Sequence, residues 1–191
     1  MVLELSNEMR YNGLGIIKGE YVADANKVER TLIIFKPDAV QRGIVGEILT
    51  RFERVGLKII ATKMIFPDRD HYYQHYEGIG QMVSRRGEKA FDVTLEMMVT
   101  GPVMAMVLEG VESVALVRKM VGGTEPKSAL PGTIRGDFSH MSFEYADGKK
   151  KGIPNLIHAS GDPSEAEQEI GHWFSDDEIY SYEIATEKFT R

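Results

Sequence analysis

The stretch Thr31-Leu-Ile-Ile-Phe-Lys-Pro37 decides the fold of this chain. Its run of apolar and β-branched residues predicts a short, buried β-strand. Strand pairing has to stop at Pro37, because proline has no backbone N–H to donate. Lys36 is therefore expected at the end of a strand.

Apolar spacing predicts the elements that follow. Apolar residues recur on one helical face over residues 44–55. Residues 58–66, rich in Ile, Thr and Met, and the continuous apolar run 103–108 predict two more strands. One or two helices are expected over residues 70–98, with residues 81–89 as a loop.

The second half of the chain adds two helices, a hairpin and a last strand. Valines at helical spacing predict a helix over residues 111–121. Residues 143–148 begin with aromatic and polar residues in alternation and end on Asp-Gly, which predicts a surface hairpin. Asp162 is a candidate N-cap for a helix that begins at Pro163, and residues 180–184 fit a short strand. This order of elements predicts an α+β sandwich with helices over one sheet.

The composition excludes several classes of protein. At 191 residues the chain is expected to form one domain over residues 30–191, behind an extension at residues 1–29. Zero cysteines exclude disulfides, a cysteine-ligated zinc site and thiol catalysis. No apolar run approaches the ~18 residues of a membrane helix, and Glu4 and Glu8 stand where a secretory signal would be basic, so a cytoplasmic location is expected. The net charge of −6 disfavours bulk binding to nucleic acid or anionic membranes.

His158 is the candidate reactive residue. The common motifs GxxxxGK[ST], GxGxxG, HExxH and GxSxG do not occur in the sequence. Residues 124–160 form a long stretch rich in glycine, proline and charge, and stretches of this kind are usually functional. Within it, Ala159, Ser160 and Gly161 leave space beside the His158 imidazole just ahead of a helix N-terminus, where an anion could approach. A loop histidine with satisfied hydrogen bonds fits the same fragment.

Several distant segments, taken together, carry a family resemblance. They are ERTLIIFKPDAVQRGIVGEI at residues 29–48, HY at 75–76, SALPGTIRGDF at 128–138, NLIHAS at 155–160 and EAEQEIGHWF at 165–174. In this order they resemble the nucleoside diphosphate kinase family, and the resemblance covers the chain from about residue 29 to about residue 183.

The resemblance implies an activity and a set of site residues. Such kinases transfer the γ-phosphoryl group of a nucleoside triphosphate to a nucleoside diphosphate by a ping-pong route through a phosphohistidine, and His158 matches the nucleophile. A neutral imidazole nitrogen is nucleophilic near neutral pH, and the phosphoramidate that it forms retains transfer potential. Cations suit phosphoryl transfer because they neutralise the charge of the triphosphate. The other matching residues are the charge clamps Lys36, Arg118 and Arg135, Thr124 for a phosphate contact, Asn155 for the sugar 3′-hydroxyl, Tyr76 beside the histidine, Ser160 and Glu169, which hold the histidine in place, and Phe91 as the best candidate for stacking on the base.

The resemblance also implies a fold, a cofactor and an assembly. The family fold is a ferredoxin-like βαββαβ arrangement with an antiparallel four-stranded sheet, which fits the predicted element order. Mg²⁺ arrives on the nucleotide phosphates, and no protein ligands to the metal are expected. Family members usually form hexamers or tetramers built from dimers, and residues 127–132 resemble a loop that often contributes to those contacts.

Departures from the family pattern leave alternatives open. Insertions near residues 79–89 and 139–153 make the base contacts uncertain. Ala159 stands where glycine is common and Gly161 where aspartate is common, and the second change concerns a polar or metal-proximal group. One alternative is a catalytically idle nucleotide-binding or scaffold protein. Another is nucleic-acid binding through lysines 149–151, for which a solvated surface is the favoured interpretation.

Overall fold

The computed structural model describes residues 27–190 of the chain. Residues 1–26 of the predicted extension therefore lie outside the described residues, and residues 27–29 lead into the first strand. Over the described range, no helix has the length and apolar character that crossing a membrane requires.

Four strands form one antiparallel sheet in the order β2-β3-β1-β4. They are β1 (Val28–Phe35), β2 (Lys58–Ile65), β3 (Val103–Val111) and β4 (Ile157–Ala159). This order, with helices connecting the strands, confirms the predicted ferredoxin-like architecture. Because β1 lies between β3 and β4, Ile34 pairs with His158, which brings the candidate histidine beside the core strand.

Residues 31–35 of the strand β1 are buried on both faces of the sheet. Residues 31–35 have no exposed surface, as their apolar run predicts. Leu32 and Ile34 belong to one hydrophobic cluster, and Ile33 and Phe35 belong to a second. Successive side chains of a strand point to opposite faces, so β1 contributes to a core on each side of the sheet. Full burial of one such side chain is worth about 1.5–3 kcal/mol, which makes β1 a strong anchor for Lys36 at its end.

Helices cover both faces of the sheet. The face that carries Ile33 is covered mainly by α2 and α6, and the face that carries Leu32 by α3, α5 and α9, so the sheet is a middle layer. In chain order, the helices are α1 (Pro37–Gln41), α2 (Val45–Arg54), α3 (Arg69–Tyr73), α4 (Met82–Arg86), α5 (Glu88–Met98), α6 (Ser113–Val121), α7 (Ile134–Phe138), α8 (Phe143–Gly148), α9 (Pro163–Trp173) and α10 (Glu187–Thr190). A π-helical turn spans Gln74–Ile79, and 3₁₀ turns lie at Pro126–Ser128 and Asp176–Glu178.

The predicted hairpin over residues 143–148 is wrong, because this segment is the helix α8. Ser142 caps its start, with the hydroxyl oxygen accepting a hydrogen bond from the backbone N–H of Tyr145. Such a cap stabilises the first turn of a helix. The N-cap at Ser142 therefore outweighs the alternation of aromatic and polar residues from which the hairpin was predicted.

The predicted last strand at residues 180–184 is also wrong. The backbone N–H of Tyr180 donates to the carbonyl of Ile60 in β2, but the segment does not continue as a strand. The fourth strand is instead β4, which lies within residues 124–160, the stretch predicted to be a long loop. The predicted loop over residues 81–89 contains α4 and the start of α5.

Candidate active site

A cavity of about 450 Å³ opens between β4, α4, α5, α6, α8 and α9, and Lys36, just after β1, also lines it. Most of the residues singled out from the sequence line it, although they are spread over more than 130 positions of the chain. Ser160 lies behind the wall, in contact with Glu169. The predicted residues that line the cavity are Lys36, Tyr76, Arg118, Thr124, Arg135, Asn155, His158 and Glu169.

His158 projects from β4 and is held from behind by a buried carboxylate. Its Nε2 lies 2.7 Å from Oε1 of Glu169, too far out of line for a hydrogen bond but within ion-pair distance. The Ser160 hydroxyl donates to the other oxygen of Glu169 at 2.7 Å, and the Ser160 oxygen accepts from the backbone N–H of Leu32 at 3.1 Å. The carboxylate is thereby tied to β1 and is 1% exposed. The Nε2 side of the imidazole faces the protein interior, which leaves Nδ1 for the cavity.

The electrostatics keep the His158 imidazole neutral. Burial, and then the nearby Lys36 ammonium, lower the pKa of His158 to about 3. Burial raises the pKa of Glu169, an effect that His75 and the hydrogen bond from Ser160 oppose. Because a neutral imidazole carries one proton, the position of Glu169 favours that proton on Nε2 and a lone pair on Nδ1. A neutral ring with a free lone pair on Nδ1 has the chemistry that a nucleophile needs at neutral pH.

A second histidine, His75, supports the first. Its Nδ1 accepts a hydrogen bond from the indole N–H of Trp173 at 3.1 Å, and its ring lies edge to face with His158 at 4.6 Å between centroids. Burial, and then His158, lower the pKa of His75 well below the usual value. The sequence motif contained His75, but its role depends on Trp173, 98 positions away. Sequence reasoning assigned a role only to its neighbour Tyr76, which is buried beside it.

Ligand atoms of His75, His158 and Glu169 lie within 4.8 Å of one another, a spacing that a metal ion could bridge. Trp173 occupies the Nδ1 lone pair of His75, and Ser160 donates to Glu169. Two imidazoles and one carboxylate also do not match the all-oxygen coordination that Mg²⁺ prefers. The cluster is better described as a support for the His158 ring.

Lys36 and Arg135 are joined by Asn155 into one network. The Lys36 ammonium donates to the side-chain oxygen of Asn155 at 2.8 Å, and the Asn155 side-chain NH₂ donates to the carbonyl of Thr124 at 2.9 Å. Arg135 donates to three backbone carbonyls, those of Asn155 (3.1 Å), Gly122 (3.0 Å) and Ile157 (2.6 Å). These bonds hold all three side chains against the cavity.

This network carries a surplus of positive charge. Lys36 and Arg135 are each 7% exposed, and over residues 27–190 neither has a carboxylate within ion-pair distance. Burial and then Arg135 lower the pKa of Lys36 to about 8, and burial and then Arg118 lower that of Arg135 to about 10. Buried cations that repel one another are costly without an anion. The arrangement therefore fits a multiply charged anion beside His158.

Arg118 and Arg86 extend the basic lining. Arg118 projects from α6 and its Nη1 lies 3.4 Å from the carbonyl of Ala159, next to the histidine. Arg86, at the end of α4, donates to the Thr124 hydroxyl at 3.4 Å and also lines the cavity. Sequence reasoning missed Arg86 because it treated this segment as a loop. The adjacent pair Arg85-Arg86 in a polar, glycine-flanked segment was the available signal.

The structure corrects the assignment of Phe91. This residue is 6% exposed and packs in the hydrophobic core, edge to face with Tyr73 at 5.6 Å. On the same helix α5, Ala90 and Val93 line the cavity instead. Consecutive helical residues point about 100° apart, so α5 turns Phe91 to the core and Ala90 to the cavity. Phe91 therefore cannot stack on a ligand in this cavity.

The Glu165 carboxylate packs directly against Gly161. Its backbone N–H donates to Oε2 of Glu165 at 3.0 Å, and a Cβ at position 161 would lie 2.2 Å from that oxygen. Glu165 also lies 3.8 Å from Arg85 and lines the cavity. A carboxylate thus occupies the space where a side chain at position 161 would project.

Comparisons with known proteins agree with this geometry. The family model described as nucleoside diphosphate kinase matches residues 29–179. A nucleoside diphosphate kinase from Pyrococcus furiosus is 46% identical over 166 residues, which cover 87% of this chain and 95% of the relative. A solved nucleoside-diphosphate kinase from Borrelia burgdorferi, described as a transition-state mimic with bound vanadate and ADP, has a TM-score of 0.81 at 46% identity, covering 84% of this chain and 95% of that chain. A halophilic nucleoside diphosphate kinase from Halobacterium salinarum in complex with CDP has a TM-score of 0.73 at 34% identity, covering 85% and 98%.

Proposed function

Since this chain belongs to the nucleoside diphosphate kinase family, we propose that it transfers the γ-phosphoryl group of a nucleoside triphosphate to a nucleoside diphosphate, with His158 as the nucleophile. The observation that carries the proposal is the neutral His158 ring, backed by Glu169 and facing a cavity lined by cations. The solved relative with vanadate and ADP supports it, since vanadate resembles a phosphoryl group in transfer.

The reaction has two half-reactions. In the first, Nδ1 of His158 attacks the γ-phosphorus, the new N–P bond forms, and the bond to the bridging oxygen breaks to release a nucleoside diphosphate. The Nε2 proton stays on the ring, where the Glu169 carboxylate stabilises the positive charge that develops. In the second, a terminal oxygen of another nucleoside diphosphate attacks the phosphohistidine, and Nδ1 is the leaving group. The ring is thereby returned to its neutral state.

The cations position the phosphates. Lys36, Arg118 and Arg135 surround His158 and take the role of charge clamps, with the hydroxyl of Thr124 as a further contact. Phosphoryl transfer depends mainly on positioning and charge stabilisation, so preplaced cations supply most of what the reaction needs. Asn155 is proposed to contact the sugar 3′-hydroxyl through the side chain that now binds Lys36. Tyr76 limits the cavity beside the histidine.

Mg²⁺ is proposed to enter with the nucleotide. When bound, it would neutralise the negative charge of the phosphates and so favour attack at the γ-phosphorus. Glu165 is the lining carboxylate beside Gly161, and its oxygens are suited to accept hydrogen bonds from water on the metal. Glu169 is already engaged with Ser160 and the histidine.

The assembly and the location are proposals of the same kind. We expect a homo-oligomer, a hexamer or tetramer built from dimers, and Leu130 in the segment 127–132 is 72% exposed, which suits a contact with another copy. Light scattering coupled to size exclusion measures the oligomer number, and a monomeric mass contradicts this expectation. The cytoplasmic location expected from the composition stays a prediction. Lysines 149 and 151 pack beside the Tyr145 ring at the surface, and nucleic-acid binding is not expected.

The decisive experiment follows the phosphoryl group. The protein is incubated with γ-labelled ATP and Mg²⁺, and the bound label is tested for the acid lability and alkali stability of a phosphohistidine. GDP or CDP is then added, and label should move to the diphosphate. His158→Ala should take up no label. A wild-type protein that binds ATP without taking up label would instead be the idle nucleotide-binding protein.

A further inference from the structure

We propose that the inserted helix α8 forms the nucleobase-binding wall of the cavity and that the Phe143 ring stacks on the base. The inference rests on the proposed function and names the part of the substrate that the basic residues leave unaccounted for. Lys36, Arg118 and Arg135 lie near His158, whereas the lining from α5 and α8 is mainly apolar, with Ala90, Val93, Ala146 and Phe143 beside the polar Thr94 and Asp147. A phosphate chain and a flat, largely apolar base fit these two kinds of lining.

The face of α8 toward the cavity is well defined. Phe143, Ala146 and Asp147 all line the cavity, and their spacing of three and four residues places them on one helical face. Ala146 is 2% exposed and leaves room beside the Phe143 ring, which is 38% exposed. Other aromatic rings of the lining, such as Tyr76, are buried against the histidines. Phe143 is therefore the aromatic residue of the lining whose ring has exposed surface on which a base can stack.

The structure holds α8 in this position at both ends. At its start, the backbone N–H of Phe143 donates to Oε1 of Glu125 at 2.9 Å, next to Thr124 in the cavity. After its end, Gly152 packs so closely on α5 that a Cβ there would lie 2.5 Å from the carbonyl of Val93. The insertion is thus docked on the helix that forms the opposite wall, and Phe143 takes over the stacking role that Phe91 cannot fill from the core.

The test compares ligands with and without a base. Binding of ADP, GDP and inorganic tripolyphosphate, each with Mg²⁺, is measured by titration calorimetry for the wild type, Phe143→Ala, Phe143→Tyr and Tyr145→Ala. Tyr145 is a matched control on the same helix, because it is exposed and does not line the cavity. Stacking of a base on an aromatic ring is worth an affinity factor of about 5 to about 150. Phe143→Ala should therefore lose at least about fivefold in affinity for ADP and GDP but keep its affinity for tripolyphosphate, whereas Phe143→Tyr and Tyr145→Ala should bind all three like the wild type.

Three results would overturn the inference: unchanged nucleotide affinity in Phe143→Ala, equal losses for nucleotides and tripolyphosphate, or the same loss in Tyr145→Ala. Melting curves check that the variants are folded, which the partial exposure of Phe143 favours. The binding measurement and the labelling measurement distinguish a failure of this inference from a failure of the proposed function. A wild type that takes up no label would contradict the kinase activity while leaving the binding comparison readable.

Discussion

The Nε2 atom of His158 lies 2.7 Å from Oε1 of Glu169, a carboxylate that is itself buried and bonded to Ser160. This relationship orients the ring and, in the proposed mechanism, leaves Nδ1 as the attacking nitrogen. A carboxylate at Nε2 stabilises the positive charge that appears when Nδ1 bonds to phosphorus, and because it is buried, water screens it little.

Replacing this carboxylate should slow the chemistry without weakening nucleotide binding. In Glu169→Gln the neutral amide keeps the shape but loses the charge, so we expect phosphohistidine formation to slow by about 10-fold to about 100-fold with little change in ATP affinity. Rapid-quench measurement of label uptake gives the rate, and calorimetry gives the affinity. A variant as fast as the wild type would show that Glu169 only fills space.

The activity should tolerate mild acid. The depressed pKa of about 3 means that His158 is protonated only in strong acid, whereas an ordinary histidine with a pKa of 6.5 would lose its nucleophilic form below neutrality. Label uptake should therefore stay within about twofold between about pH 5 and about pH 7. A rate that falls tenfold per pH unit below about pH 6.5 would contradict a neutral, buried ring.

Alkaline pH should weaken substrate capture through Lys36. Its lowered pKa of about 8 means that the free enzyme loses this positive charge as the pH rises through 8. The value of kcat/KM should then fall above about pH 8, more than kcat, because bound phosphates hold the proton on Lys36. Steady-state rates across the alkaline range check this, and Lys36→Arg, which stays charged, should shift the fall to higher pH.

The same residue should show a conflict between stability and activity. Lys36 is buried beside Arg135 without an ion-pair partner among the described residues, so its charge favours ligand binding at the expense of the folded state. Lys36→Met should reduce label uptake by about 100-fold, while the free energy of unfolding stays unchanged or rises by ~1 kcal/mol. Urea unfolding measures the second quantity, and a large loss of stability would contradict this account.

The two adjacent glycines after α6 should differ sharply in their tolerance of a side chain. Gly122 has φ +84°, and a Cβ there would lie 2.5 Å from the Thr133 hydroxyl oxygen, whereas the nearest atom to a Cβ at Gly123 is 4.0 Å away. Gly122→Ala should cost roughly 2 kcal/mol of stability and lower nucleotide affinity, because the Gly122 carbonyl accepts from Arg135. Gly123→Ala is the matched control and should change either quantity little. Thermal melting and calorimetry compare the two, and equal effects would contradict the steric argument.

The fold class and most of the residues that line the cavity could be predicted from the sequence. The apolar run before Pro37 predicts a buried strand, because exposing these side chains to water would be unfavourable. Residues 31–35 are indeed fully buried. That reasoning placed Lys36 at a strand end, and the ordered motifs singled out His158, Arg118, Arg135 and Asn155 for the same site. The strand prediction depends on local periodicity, whereas the assignment of these four residues to one site depends on the resemblance to the kinase family.

The tertiary structure alone decided which side chains face the cavity. Ala90 and Phe91 are neighbours on α5, and only the packing of that helix turns the larger residue to the core and the smaller to the ligand. His75 supports His158 because Trp173, distant in sequence, donates to its Nδ1, and Phe143 lines the cavity because the segment that follows α8 packs on α5 at Gly152. The face that a helix buries and the distant residues that it contacts depend on how the whole chain packs. A local sequence pattern therefore cannot predict them.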